Sequence, residues 1–221
     1  DIVSSLKELG VLVFLSIGLR SKELYKKLYD AGARAVLLRF ETANEKLFSQ
    51  LRPHTTLQER VQRIKDIKEM GYILATGFMV GLPGETHQDI IDNIKLTIEL
   101  DPEMYSFGPF IPTKHTPLEQ SNVIDKHLMF KIIAITRLLA QDSNILVTTA
   151  LETLDKQAKE EGLMSGANSL MLNITPSEYK ELYTIYQGRA GVKESLDDEI
   201  KETIGLLTKL GRAQTDIGVT K

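Results

Sequence analysis

Short, unbroken apolar runs alternate along most of the chain with longer stretches whose apolar residues recur at helical spacing. The runs Val11 to Ser16, Ala33 to Arg39, Ile73 to Val80, Met104 to Gly108 and Ile145 to Thr148 are rich in β-branched and aliphatic residues, so they read as strands covered on both faces. The stretches between them read as helices. One closes at Gly10, and the next run from Ser21 to Asp30, Thr56 to Met70, Thr86 to about Glu99 and Asp125 to Leu139. Ser21 and Thr56 are of the type that caps a helix start, and Gly32 and Gly71 mark helix ends. Five strands separated by helices predict an α/β fold with a parallel sheet and right-handed crossovers, either an open doubly wound sheet or a segment of a barrel. Beyond the last strand the pattern predicts a helix over Asp155 to Gly162, an extended piece over Ser169 to Asn173, a helix over Pro176 to Tyr186 and an amphipathic helix over Leu196 to Leu210. No internal repeat or low-complexity linker marks a second independent domain.

Composition narrows the function classes. The chain has 221 residues, enough for one sizeable core but short of the roughly 250 of a complete (β/α)₈ barrel. A net charge of -3 without a basic stripe argues against a nucleic-acid partner, and no apolar run reaches the roughly 20 residues of a membrane span. Small-molecule chemistry is the expectation. With zero cysteines the chain has no disulfide, thiolate metal site or thiol nucleophile of its own, which fits a reducing, cytoplasmic setting. Asp1 opens directly into an amphipathic segment, so the chain reads as starting inside a domain, without a targeting peptide.

The candidate chemistry sits where strands end. Arg39 and Glu41 stand two apart at a strand C-terminus and share a face if the strand continues, either as a structural ion pair or as site residues at a barrel mouth. Arg60, one helix further on, can clamp a carboxylate, although alone it reads as a surface helix arginine. Gly81-Leu82-Pro83-Gly84-Glu85-Thr86 follows the strand residues Met79 and Val80 and offers close backbone approach ahead of a helix; a turn capped by Glu85 is the plainer reading. Phe107 to Pro112 is a proline-stiffened loop. Thr148 and Thr149 end the last strand and can supply hydroxyls, while Tyr183 and Tyr186 share a helix face. His54, His87, His115 and His127 lack metal-ligand spacing and read as surface residues.

The segments 37 to 44 (Leu-Leu-Arg-Phe-Glu-Thr-Ala-Asn) and 79 to 86, with Leu51-Arg52-Pro53, Gly108 to Pro112, Asp142 to Ile145 and Thr175-Pro176-Ser177, resemble the radical S-adenosylmethionine (SAM) family. Within it they resemble the FeFe-hydrogenase maturases of the biotin synthase-like group. The resemblance implies about strands 4 to 8 of a TIM-type barrel over residues 1–150, closed by a biotin/thiamin synthesis-associated region over 151–221. It implies SAM as a cofactor, with Glu41 on its ribose, Arg60 on its carboxylate, and Met79, Val80 and Gly81 along the adenine. Ser16, Arg39, Thr148, Thr149, Met171, Tyr183 and Tyr186 would line the cavity of a small-molecule or organometallic substrate. Family chemistry is reductive cleavage of SAM by a 4Fe-4S cluster, giving a 5′-deoxyadenosyl radical used in assembling the hydrogenase cofactor, alongside other maturation proteins. This chain departs from the pattern in three places. The CxxxCxxC cluster motif is absent, so the cluster ligands are expected outside it and the chain alone is expected to be inactive; Phe14 stands where threonine is expected; and the tail from Val192 lacks auxiliary-cluster cysteines. A methylornithine synthase or biotin synthase-like relative, and a cluster-free binding module, are the alternatives.

Overall fold

A computed structural model describes residues 1–180, 182, 185, 186, 188–192 and 194–215. After a first helix, α1 (Ile2–Glu8), the chain alternates strands and helices: β1 (Val13–Leu15), α2 (Lys22–Ala31), β2 (Ala33–Leu37), α3 (Glu45–Leu51), α4 (Leu57–Glu69), β3 (Ile73–Thr76), β4 (Met79–Val80) and α5 (His87–Leu100). There follow β5 (Met104–Tyr105), β6 (Gly108–Pro109), α6 (Lys126–Leu139), β7 (Asn144–Val147), α7 (Thr149–Leu154), α8 (Ala158–Met164), β8 (Ser169–Leu170), α9 (Ser177–Lys180) and α10 (Leu196–Lys209).

The main sheet has six strands in the order β1-β2-β3-β5-β7-β8, all paired in parallel, and a second sheet pairs β4 with β6. Each new strand joins the same side of the growing sheet. A doubly wound sheet reverses direction at a switch point, and the described strands never do, so the fold is part of a (β/α) barrel. Every strand C-terminus therefore comes out on one rim.

Local chemistry explains the helices. Thr56 and Glu59 form a reciprocal capping box at the start of α4, and Thr86 and Asp89 form another at the start of α5. Ser21 accepts from the Leu24 amide at the start of α2, and Gly32 closes that helix with φ +119°. The inward faces of the helices bury Tyr25, Ile64, Ile67, Met129 and Ile132 against strand residues such as Leu74, each removal of an aliphatic side chain from water being worth roughly 1.5–3 kcal/mol. The hydroxyls of two buried tyrosines have partners: Tyr25 donates to the Gly18 carbonyl at 2.6 Å and Tyr72 donates to the Tyr25 carbonyl at 2.7 Å.

The structure corrects the sequence reading in several places. Ile73 to Val80 is two strands, broken at Gly77-Phe78, and Met104 to Gly108 likewise divides around Ser106-Phe107. The five expected strands thus become seven, and with β8, from the extended piece expected over Ser169 to Asn173, they form a six-stranded sheet and a two-stranded one. Two helices, α3 and α7, stand where none was expected, and Thr148 is the N-cap of α7, with Thr149 inside the helix. In the expected helix over Pro176 to Tyr186, the described helical residues are Ser177–Lys180.

Candidate active site

Three segments emerge from neighbouring strands onto the rim and are stitched together by their backbones. Phe40 and Glu41 both donate to the Gly77 carbonyl, at 3.0 and 3.3 Å, and Met79 donates to the Glu41 carbonyl at 2.9 Å. Ser106 donates to the Thr76 carbonyl at 2.8 Å and Phe110 to the Val80 carbonyl at 2.8 Å. Below this layer Phe40, Phe78 and Phe107, all buried, run across the barrel with ring centroids 6.0 and 5.2 Å apart. Each phenylalanine is flanked by residues of the rim, so the apolar floor and the polar surface come from the same segments.

Glu41 is the centre of the site. It is only 5% exposed and adopts φ +72°, a left-handed conformation that costs an L-residue roughly 1–2 kcal/mol. Strain of this kind persists where the surrounding structure enforces it, here through the two backbone bonds to Gly77 and Met79. Its carboxylate faces three guanidinium groups: Arg39 at 3.3 Å from Oε2, and Arg52 and Arg60 each at 3.7 Å from Oε1. Arg60 is buried as well, and its Nε donates to the Arg39 carbonyl at 2.5 Å. Burial holds the Arg60 guanidinium below the usual arginine range, and Glu41 opposes that shift.

This cluster combines one carboxylate with three fixed positive charges, and Glu41 Oε2 is buried without a hydrogen-bond donor among the described residues. An acceptor without a donor beside an excess of cationic groups suits a ligand that carries both hydroxyls and a carboxylate. The expected ligand pair Glu41 and Arg60 is therefore brought together, with Arg39 against it. Arg52, which was given no role from sequence, joins them from the C-terminal end of α3; Asn44 before that helix and Pro53 after it were the available signals.

The glycine-rich segment lies alongside. Met79 is half-buried, Val80 fully buried, and Gly81 adopts φ +87° with the Ile124 side chain where a Cβ would stand, 2.2 Å away. The Gly81 amide donates to Glu85 Oε2 at 2.6 Å. Glu85 thus caps the turn, while Thr86 caps the helix. Burial pushes the Glu85 carboxyl up to about 7, reinforced by Asp89 and opposed chiefly by the Gly81 amide.

The residues expected around a substrate are distributed along the rim. Thr148 follows β7, with its Oγ1 buried and lacking a partner among the described residues. Thr149 begins α7, half-buried. Tyr186 is half-buried, and burial raises its phenol pKa against the opposing effect of a hydrogen bond with Thr153. Ser16 follows β1 and Met171 follows β8, the two outer strands of the main sheet, so these exposed residues stand at opposite ends of the rim. Tyr183 lies outside the described residues. The four histidines are all exposed.

Family models match both parts of the chain whose rim carries this arginine cluster and glycine-rich turn. Residues 2–97 match the radical SAM superfamily and residues 106–213 match the biotin and thiamin synthesis associated domain. The chain belongs to the radical SAM superfamily. Among curated relatives, it is 42% identical to the FeFe-hydrogenase maturase subunit HydE of Thermotoga maritima over 212 residues, 96% of this chain and 61% of that protein. It is 29% identical to biotin synthase of Coxiella burnetii over 175 residues, 77% of this chain and 53% of that one. Among solved structures, methylornithine synthase (PylB) superposes with a TM-score of 0.78 at 27% identity, covering 98% of this chain and 63% of that one. HydG, a maturase of the FeFe-hydrogenase, shares the fold with a TM-score of 0.60 at 15% identity, covering 73% of this chain and 37% of its own. The chain thus spans between half and two thirds of the curated relatives it matches.

The two groups associated with the superfamily differ in how they fit. SAM fits the donor set in kind, because a buried carboxylate oxygen that accepts no hydrogen bond suits a ribose hydroxyl and a surplus of arginines suits a carboxylate. A 4Fe-4S cluster does not fit residues of this chain, which contains no cysteine and, among the described residues, no group of three His, Asp or Glu placed to hold a metal ion. No helix among the described residues is long and apolar enough to cross a membrane.

Proposed function

We propose that this chain is the SAM-binding and substrate-facing portion of a HydE-type radical SAM enzyme acting in cytoplasmic hydrogenase maturation. The observation that carries the reading is the buried Glu41 carboxylate, held among Arg39, Arg52 and Arg60 with one oxygen still lacking a donor. Glu41 accepts from the ribose hydroxyls, Arg60 neutralises the ligand carboxylate, and the Met79-Val80-Gly81 backbone lies along the adenine. Bound SAM supplies the radical chemistry of the superfamily; the share of this chain is orientation and exclusion of water. Arg39, Thr148, Thr149 and Tyr186, with Ser16 and Met171 at the two ends of the rim, are assigned to a small-molecule or organometallic substrate, and the family resemblance adds Tyr183 to that set. Residues 1–150 form the barrel part and residues 151–221 the region that closes it. The cluster ligands are not among these residues, and other hydrogenase maturation proteins are the partners proposed for the whole enzyme.

The first test is calorimetric titration of the chain with S-adenosylhomocysteine, which presents the ribose, adenine and carboxylate but needs no cluster. Saturable binding, lost in Glu41→Gln, supports the reading, and no binding counts against it. The second is a chimera carrying the cysteine-bearing segment of the Thermotoga maritima HydE. Restored hydrogenase maturation supports the HydE assignment, whereas SAM cleavage without maturation favours a relative with another substrate.

A further inference from the structure

Beneath the rim, one fully buried side chain links the two segments that carry the site. Asn93, on the inner face of α5, is 0% exposed. Its Oδ1 accepts from the Ala43 amide at 2.5 Å, and its Nδ2 donates to Glu85 Oε1 at 3.3 Å. The other Glu85 oxygen accepts from the Gly81 amide at 2.6 Å. An unbroken path therefore runs from the backbone beside Glu41, through Asn93 and Glu85, to the backbone at Gly81. A second tie reinforces it, with Asn44 Nδ2 donating to Asp89 Oδ1 at 2.8 Å.

An asparagine buried this completely is costly unless its donor and acceptor are both used, and here each is used on a different segment. The chain of bonds is also directional. Asn93 presents an oxygen to Ala43 and a nitrogen to Glu85, while Glu85 accepts from a donor on each side, so neither residue tolerates a reversed partner. The glycine at 81 is held between this carboxylate and the Ile124 side chain, and its amide is fixed by the Glu85 bond.

We propose that Asn93 and Glu85 are a positioning couple that sets the separation and register of segment 41 to 44 against segment 79 to 81. The couple touches no ligand and acts through the Ala43 and Gly81 amides. If SAM occupies the rim as proposed, the couple thereby fixes where ribose and adenine sit relative to each other, and to that extent it rests on that reading.

The test exploits the polarity of the bond. Glu85→Gln alone turns an amide nitrogen toward the Asn93 nitrogen, and Asn93→Asp alone sets two carboxylates face to face, which would share a proton near neutrality, so all four proteins are compared in alkaline buffer well above the value of about 7 at which Glu85 releases its proton. Together the two substitutions restore a donor opposite an acceptor: the new amide at position 85 donates to the new carboxylate at position 93, and both backbone amides remain satisfied. Amide hydrogen exchange is read by NMR at Gly81 and Ala43, with Leu38, bonded to the Ala75 carbonyl at 3.0 Å, as the reference for global stability. Each single variant is expected to speed exchange at Gly81 and Ala43 by about tenfold relative to Leu38, the scale of one lost buried hydrogen bond. The double variant is expected to restore it. S-adenosylhomocysteine affinity is measured on the same four proteins and is expected to fall and recover in parallel. Unchanged exchange in the single variants, or no recovery in the double, overturns the proposal. Protection that falls and recovers while the unsubstituted chain binds no nucleoside upholds the couple and counts instead against the SAM reading.

Discussion

Gly77 and Ser106 pack backbone against backbone, so that a Cβ on Gly77 would lie 2.1 Å from the Ser106 carbonyl oxygen. Gly77 also holds φ +156°. The atom in the way belongs to the main chain of an adjoining rim segment and cannot swing aside. Gly77→Ala is therefore expected to destabilise the fold by about 2 kcal/mol or more, as backbone strain and overpacking add. Urea unfolding measures it, and a loss below half that figure would mean that the two segments separate easily.

Charge pairing at the site gives a second expectation. Removing one member of a buried ion pair strands the other, at about 3–5 kcal/mol. Arg60→Met should approach the lower figure, since Arg39 and Arg52 still face Glu41. Glu41→Gln combined with Arg60→Met should cost less than the two separate losses added together. Denaturant midpoints of the four proteins form the cycle, and strict additivity would show that the pair is not coupled.

The Glu85 carboxyl sets a pH dependence. Its value in the fold is raised from 4.5 to about 7, so the folded chain binds this proton more tightly than the unfolded chain. The resulting stabilisation is complete below the unfolded value, declines as pH rises from about 4.5 to about 7, and is absent above. Glu85→Gln should remove this component from a plot of unfolding free energy against pH. A plot unchanged by the substitution would place the titration elsewhere.

Thr148 and Gly108 make a compensating pair. A Cβ on Gly108 would fall 2.5 Å from Thr148 Oγ1, an atom that has no hydrogen-bond partner among the described residues. Gly108→Ala should cost about 1–3 kcal/mol by overpacking. Thr148→Ala should be nearly neutral, because it removes a hydroxyl that gains nothing, and the double variant should recover most of the loss. Thermal melts of all four proteins decide it.

The β1 edge has a pairing partner on the β2 side alone among the described strands, and Phe14 on it is 38% exposed. Open parallel edges recruit other chains. The chain is expected to self-associate with rising concentration in sedimentation velocity, and Phe14→Lys should reduce this. A monodisperse monomer across the concentration range would refute it.

Much of this architecture was legible in the sequence where a local rule operates. The Thr56 and Thr86 caps, the glycines closing helices and the apolar runs of β1, β2 and β7 depend on neighbours a few residues away. Ile73 to Val80 reads as continuous because an unbroken apolar run carries no record of Ser106, whose backbone lies against Gly77 where the strand breaks. Thr148 and Thr149 looked like strand because threonine suits both a strand and a helix cap, and only tertiary packing decides. The Arg39, Glu41 and Arg60 grouping was legible through strand-end position and family resemblance. Arg52 was not, since its approach depends on α3, a helix of seven residues whose signals are weak on their own. Asn93 was invisible for a different reason: its role lies in the direction of its amide, which no spacing encodes.

The phenylalanine row beneath the rim bears on how such a site can be transplanted. Because Phe40, Phe78 and Phe107 interlock across three segments, no single loop holds a portable share of the binding surface. A designer moving it to another barrel would have to carry all three segments with their shared aromatic layer as one indivisible cassette.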